Sequence, residues 1–369
     1  MSFDQRETTV FRNADPSLLF PEFIAHPLLR SAHAQTIAGT IPLGNGSPAA
    51  RAQKIHRVAV SNDDFVCLHE DIPPRWREGG PAALLVHGLC GDHESSYMVR
   101  ISKRLRVRGF RTFRMDLRGA GASFLLSKKL YHSGQSDDIA ASVRAIQQMC
   151  PKSEVSVIGF SLGGNLVLKF LAENAVAGIH KIRNIEKAVA VSPPADLAAS
   201  LARLEGAWGN LYNRYFVRLL IKLTNSHQKY VKGAATGLFE RAPKTLIEFD
   251  DKYTAPINGF LSAHDYYSRS SAAPMLPQIE TPTLVLLSRD DPVVCSAVFE
   301  KPVSPFVKTI LTKAGGHLGF FAKSNTDPDR RWMDWRIVDW IAPIHHTLTT
   351  HRASHPHNHS GAQDAAEGI

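Results

Sequence analysis

A glycine-flanked serine is the residue of this sequence that best suits covalent chemistry. Residues 159–163 read Gly-Phe-Ser-Leu-Gly, so that Ser161 lies between two glycines, and Gly164 follows. A serine hydroxyl is a weak nucleophile that needs an adjacent base and a favourable geometry. A sharp turn from a strand into a helix supplies this geometry, and flanking glycines relieve its crowding. Ser161 is therefore the candidate nucleophile for acyl transfer, and a glycine-rich turn without chemistry is the alternative.

A histidine and an aspartate further along the chain could complete a catalytic triad. His317 lies in a glycine-flanked segment, residues 315–319, where a loop would leave it free to reach the serine. The acid that orients the histidine is open among three positions. Asp291, which directly precedes Pro-Val-Val, is favoured, and Asp290 and Asp196 are the alternatives. The expected order along the chain is nucleophile, acid, base.

Two backbone amides are candidates for stabilising an oxyanion. One is the N–H of Leu162, which follows the nucleophile, and the other is the N–H of Leu89, which follows a His-Gly pair. The histidine of that pair, His87, precedes the nucleophile, and neither His132 nor His264 follows an acid in the required order. We expect structural hydrogen bonding from these three histidines.

Alternating strands and helices must position these residues. A hairpin is predicted from residues 54–60 and 65–70, and further apolar runs predict strands. Helices are predicted from 95 to 108, from a cap at Ser136, and from 162 to 172, before a final Trp-rich helix. The further strands are predicted at 83–86, 110–115, 155–158, 187–192, 283–288 and 306–311. This alternation favours a mostly parallel sheet with helices on both faces, and with the motifs above it predicts an α/β-hydrolase fold.

The chain divides into three predicted parts. Residues 1–53 are expected to form an extension that packs on the core, and residues 54–342 the α/β-hydrolase domain. An insertion rich in Leu, Tyr and Arg, at about 196–282, would form a helical cap above the strand ends. Residues 343–369 include six histidines and little apolar surface, and this composition predicts a disordered tail.

Composition narrows the classes of function. Hydrophobic residues make up 44% of the 369 residues, which is ordinary for a globular protein. No apolar run is long enough to cross a bilayer and the N-terminus is polar, so we expect a cytoplasmic protein. The net charge of +9 is spread along the chain without a basic tract, which argues against nucleic-acid binding but allows contact with anionic lipid surfaces. Four scattered cysteines indicate neither a disulfide framework nor a thiolate metal site, and we expect no metal and no cofactor.

Phrases along most of the chain resemble the bacterial YheT-like esterases, which are related to eukaryotic abhydrolase-domain lipid hydrolases. The phrases lie within about residues 20–342, at 32–36, 87–91, 131–134 with Asp138, 159–165, 249–256, 290–292 and 316–320. The resemblance implies a triad of Ser161, Asp291 and His317. It also implies carboxylesterase activity on short-chain acyl esters or lipid esters, without a cofactor.

The sequence thus predicts a carboxylic-ester hydrolase that works through an acyl-enzyme. Three alternatives remain. An acyltransferase would use the same triad with an alcohol or amine in place of water. A lipase or phospholipase would act at a membrane surface. A non-catalytic binding protein would keep the fold as a ligand pocket.

Overall fold

Eight strands form one sheet at the centre of the computed structural model, which describes residues 20–40, 54–206, 209–235, 239, 241–324 and 327–343. The order across the sheet is β1-β2-β4-β3-β5-β6-β7-β8; β2 runs antiparallel to β1 and β4, and every other pair is parallel. The mostly parallel sheet predicted from the sequence is confirmed. The strands are β1 (Lys54–Ala59), β2 (Phe65–Asp71), β3 (Ala82–Val86), β4 (Arg111–Asp116), β5 (Val155–Phe160), β6 (Ile185–Val191), β7 (Thr283–Ser288) and β8 (Val307–Thr312).

Helices cover both faces of the sheet. Every residue of β3, β5 and β7 is buried, as expected for strands of a parallel sheet packed on both sides. Helices α3 and α4 pack with one face, and α2 and α10 with the other. The helices are α1 (Ala32–Thr40), α2 (Ser96–Val107), α3 (Ser136–Met149), α4 (Leu162–Ala175), α5 (Leu197–Arg203), α6 (Gly209–Tyr230), α7 (Leu246–Phe249), α8 (Ala255–Ile257), α9 (Ala263–Ser270) and α10 (Trp332–Ile341).

The segment between β6 and β7 is helical and contains α5 to α9. A π-helical turn, Asp250–Thr254, joins α7 to α8. Apolar side chains of α6 and α7 pack with Leu130 and against Leu89 and Val293. These three residues lie in loops that follow β4, β3 and β7, so the segment covers loops at the carboxyl ends of the parallel strands. The division into an extension, a domain with a cap and a tail stays a prediction, since residues 1–19, 41–53 and 344–369 lie outside the described residues.

One local prediction is wrong. Ser136 does not cap α3, because the helix begins at Ser136 itself and the N-cap position is Gln135, whose side chain makes no capping bond. The Ser136 hydroxyl instead donates to Glu173 on α4. The predicted apolar face of Ile139, Val143 and Ile146 is buried. Among the described residues, no helix is both long enough and apolar enough to cross a bilayer.

Candidate active site

Ser161 occupies the sharp turn between β5 and α4. Its backbone adopts φ +51° and ψ −121°, a conformation that is uncommon for a residue with a side chain. The two flanking glycines permit the turn. A Cβ on Gly159 would lie 2.2 Å from the carbonyl oxygen of Gly163, and one on Gly163 would lie 2.5 Å from that of His87. The strained turn therefore places the Ser161 hydroxyl at its tip.

His317 links the serine to a carboxylate. It lies in the loop after β8, with its Nε2 2.9 Å from Ser161 Oγ and its Nδ1 2.9 Å from Asp291 Oδ2. With the proton on Nδ1, the ring donates to Asp291 and presents the Nε2 lone pair to the serine hydroxyl. In that tautomer the ring can accept the proton of Ser161.

Asp291 is held by the backbone that follows it. Its Oδ1 accepts hydrogen bonds from the amides of Val293, at 2.8 Å, and Val294, at 2.9 Å. The side chain is almost fully buried. One oxygen is thus fixed by the loop after β7, and the other is directed at His317.

The three candidate acids have different hydrogen-bond partners in the structure. Asp290 Oδ1 accepts a hydrogen bond of 2.9 Å from the amide of Gly316, so Asp290 supports the histidine loop rather than the imidazole. Asp196 caps α5, where its Oδ1 accepts from the amide of Ala199. Of the three, only Asp291 contacts the ring of His317.

The two predicted oxyanion donors lie beside Ser161. Leu162 is the first residue of α4, and Leu89 follows Gly88, where an added Cβ would lie 3.0 Å from Cβ of Ser161. Within the described residues, neither amide has a hydrogen-bond acceptor. Both N–H groups are thus available to an oxygen bound next to the serine.

Two tyrosines that sequence reasoning missed fix the loop around Leu89. The hydroxyl of Tyr97 accepts from the amide of Gly88 at 3.0 Å, and that of Tyr131 accepts from the amide of Cys90 at 2.6 Å. His87 has the structural role expected of it. Its Nδ1 donates to the carbonyl of Gly88 and its Nε2 accepts from the amide of Leu117, while burial lowers its pKa and favours the neutral ring.

Helix α1 holds the histidine loop in place. The hydroxyl of Thr36 accepts a hydrogen bond of 2.9 Å from the amide of His317. Gln35 donates to the carbonyl of Phe321 and accepts from its amide. Both residues belong to the phrase at 32–36, for which the sequence offered no role.

His132 and His264 are not hydrogen-bonded to the triad, although His132 lines the inner side of Ser161. Burial lowers the pKa of His132 to about 3, and its Nδ1 accepts from the amide of Gly134. His264 lies on α9. Neither ring is hydrogen-bonded to Ser161, whose hydroxyl contacts His317.

A second cluster, of His69, His93 and Asp116, has the residue types of a metal site. Its ligand atoms lie within 4.8 Å of one another. The Asp116 carboxylate, however, already accepts from both imidazoles and from the amides of His93 and Ala122. Burial alone would raise the pKa of Asp116, but the hydrogen bonds from the two histidines hold it well below its ordinary value. Asp116 therefore pins two loops, those that contain His93 and Ala122.

Two cavities meet at Ser161. The inner cavity lies beneath the segment between β6 and β7 and is lined largely by apolar side chains, among them Leu162, Phe216, Leu220 and Phe249. The outer cleft lies on the side of His317 and is bordered by α1 and α6. Ser161 therefore lies between the inner cavity and the outer cleft and borders both.

The mostly parallel sheet and the position of Ser161, in a sharp turn between β5 and α4, together define the architecture of a hydrolase. A sequence profile of the alpha/beta hydrolase fold matches residues 81–324. YheT of Escherichia coli (strain K12), named as an esterase whose activity is inferred, is 32% identical over 77% of this chain and 83% of its own length. The chain therefore belongs to the α/β-hydrolase fold family, and the resemblance seen in its motifs is confirmed.

Other relatives agree with this placement. The monoacylglycerol lipase of Saccharomyces cerevisiae is 25% identical over 73% of this chain, which spans 60% of the length of that relative. The crystal structure of 2,6-dihydroxy-pseudo-oxynicotine hydrolase covers 78% of this chain and 68% of its own, with 20% identity and a TM-score of 0.50, a likeness of fold. The chain is an α/β-hydrolase of the esterase/lipase type.

Proposed function

We propose that the protein is a serine carboxylesterase that hydrolyses carboxylic esters through an acyl-enzyme. Ser161 is the nucleophile, His317 the general base and then the general acid, and Asp291 the residue that orients the imidazole. The observation that carries this proposal is the pair of 2.9 Å hydrogen bonds that joins the three side chains in sequence.

In the first half of the reaction, Ser161 Oγ attacks the ester carbonyl while its proton passes to His317 Nε2. The carbonyl oxygen becomes an oxyanion, which accepts hydrogen bonds from the amides of Leu89 and Leu162. The tetrahedral intermediate then collapses: the bond to the alcohol oxygen breaks, and His317 returns the proton to that oxygen. The alcohol leaves and the acyl group stays on Ser161.

In the second half, water replaces the alcohol. His317 removes a proton from the water as it attacks the acyl carbon, and the same two amides hold the second oxyanion. Collapse of this intermediate breaks the bond to Ser161 Oγ, which regains a proton from His317. The carboxylic acid is released and the enzyme returns to its starting state.

The two cavities suggest where each part of the ester binds. The leaving oxygen must receive its proton from His317, so the alcohol belongs in the outer cleft, which His317 lines. The acyl group then occupies the inner cavity, which Leu162 lines and His317 does not. Because this cavity is largely apolar, we expect apolar acyl groups, from short-chain to lipid esters, to be preferred.

A panel of p-nitrophenyl esters of increasing acyl length tests this proposal. Wild-type protein should hydrolyse the esters, and lengthening the chain should raise kcat/KM until the inner cavity is filled. Ser161→Ala and His317→Ala should each lower kcat by at least about 10³-fold. The proposal would be contradicted if the wild-type protein hydrolysed none of the esters. It would also be contradicted if Ser161→Ala kept the full wild-type activity.

A further inference from the structure

Helix α6 carries a basic outer face beside the outer cleft. The helix is 22 residues long and contains no aspartate or glutamate. Its inner face, which includes Val217 and Leu220, is buried. Arg214, Arg218 and Lys222 recur every fourth residue on the exposed face. The helix therefore presents a row of cations to solvent.

These cations are not neutralised by neighbouring side chains. Within the described part of the chain, none of the three forms a salt bridge or a side-chain hydrogen bond. Lys222 lines a cavity together with Asp92, an acidic residue. Arg214 and Arg218 do not line that cavity, so their charges are the more available for an external anion.

Exposed apolar side chains lie next to this basic row and at the mouth of the cleft. Leu211 is 58% exposed and Tyr215 is 57% exposed, and both come from the first turns of α6. Ile37 of α1, on the other border of the cleft, is 59% exposed. All three also line the outer cleft. The entrance to Ser161 is thus rimmed by apolar groups, an arrangement that marks an interaction surface.

We propose that α6 docks the protein on an anionic lipid surface, with the mouth of the outer cleft facing the lipid. The cations would attract anionic headgroups, while Leu211, Tyr215 and Ile37 would enter the interfacial region, where tyrosine is favoured. A nucleic acid would satisfy the cations but would leave the apolar rim in water. The combination of charge and apolar surface therefore favours a membrane as the partner.

The docking does not depend on the reaction at Ser161. An ester drawn from the membrane would enter the outer cleft first, since the exposed side chains of Ile37 and Tyr215 line that cleft. The surface would raise the local concentration of lipid esters without a change in the catalytic side chains. Binding and hydrolysis can therefore be measured separately.

Cosedimentation with vesicles tests the proposal. Wild-type protein and Ser161→Ala should bind vesicles that contain phosphatidylglycerol much more strongly than vesicles of phosphatidylcholine alone, and added salt should weaken this binding. Each exposed cation near an anionic surface contributes about fivefold to partitioning, so Arg214→Gln combined with Arg218→Gln should reduce partitioning about 25-fold. Hydrolysis of a water-soluble ester by this double variant should stay at the wild-type level.

A matched control removes two cations elsewhere. Arg75 and Arg183 are exposed and precede β3 and β6, at the opposite end of the parallel strands from the cleft. Arg75→Gln combined with Arg183→Gln changes the net charge equally and should leave partitioning within about twofold of wild type if the effect is local. Thermal unfolding of both double variants establishes that each is folded.

Three results would overturn the proposal. The first is equal binding of wild type to charged and neutral vesicles, or no binding to either. The second is an equal loss of partitioning in the α6 variant and the control. The third is tight binding to a single-stranded oligonucleotide without vesicle binding, which would assign the basic row to nucleic acid.

Discussion

Replacement of Asp291 by asparagine tests how the histidine is oriented. In the native structure, one carboxylate oxygen accepts from the amides of Val293 and Val294 and the other faces His317 Nδ1. Asparagine has a single oxygen, and the two amides would hold it on their side. Its NH₂ group would then point at His317, and Nδ1 would have to become the acceptor.

This change places the imidazole proton on Nε2, which faces Ser161. The ring could no longer accept the serine proton, so the base would be lost without a change in shape. A comparable aspartate-to-asparagine change in a serine protease triad lowers kcat by about 10⁴-fold, equivalent to about 5 kcal/mol of transition-state stabilisation. We expect a loss of this order in kcat for Asp291→Asn, with KM little changed.

Asp290→Asn is the matched control. Among the described residues, its side chain accepts a hydrogen bond only from the amide of Gly316, and an asparagine oxygen can accept the same bond. We expect kcat within about tenfold of wild type, since one charge is lost but the loop contact is kept. Steady-state kinetics on one p-nitrophenyl ester measures both variants. An Asp291→Asn enzyme with more than a tenth of wild-type kcat would refute the reasoning, as would an equal loss in both variants.

Three further changes follow from other contacts. Gly163→Ala would place a Cβ 2.5 Å from the carbonyl of His87, so we expect a loss of about 3 kcal/mol in the free energy of unfolding, and an unchanged urea midpoint would contradict this. Thr36→Val removes the acceptor for the amide of His317 and should lower kcat about tenfold in a folded protein; a wild-type kcat would show that α1 does not position the loop. Burial raises the pKa of Asp250 to about 6, so the folded state binds the extra proton and its stability falls as the pH rises through the window from about 4 to 6. Asp250→Asn removes this dependence, so its free energy of unfolding should rise by about 3 kcal/mol relative to that of wild type between pH 4 and pH 7. Urea unfolding at each pH measures this difference, and a difference that stays constant with pH would contradict the assignment.

The fold was predictable because its signals are local. Buried strands of a parallel sheet are continuous apolar runs, and the strand predicted at 283–288 agrees with β7 (Thr283–Ser288). The serine turn was also local, since its glycines lie within two residues of Ser161. The cap at Ser136 failed because a serine near a helix start is common, and its hydroxyl had a partner in Glu173 that the local sequence does not indicate.

The supporting contacts of the site were not predictable in this way. Asp290 and Asp291 are adjacent in the sequence. Which of their two carboxylates accepts the hydrogen bond from the His317 ring depends on the backbone path of the loop after β7. The hydroxyl of Thr36 accepts a hydrogen bond from the amide of His317, which lies 281 residues away in the sequence. The hydroxyl of Tyr131 accepts one from the amide of Cys90, 41 residues away. Such pairs form only through the tertiary fold, and no spacing rule in a single sequence identifies them.

The most direct test of the central claim is covalent labelling with a fluorophosphonate, which reacts with an activated serine. After digestion, mass spectrometry identifies the labelled residue. We predict one adduct, on Ser161, which is lost in Ser161→Ala and strongly slowed in His317→Ala. A folded Ser192→Ala control, which changes a buried serine directly after β6, should be labelled at the wild-type rate. A wild-type protein that is not labelled, or a Ser161→Ala variant that is labelled equally, would contradict the account.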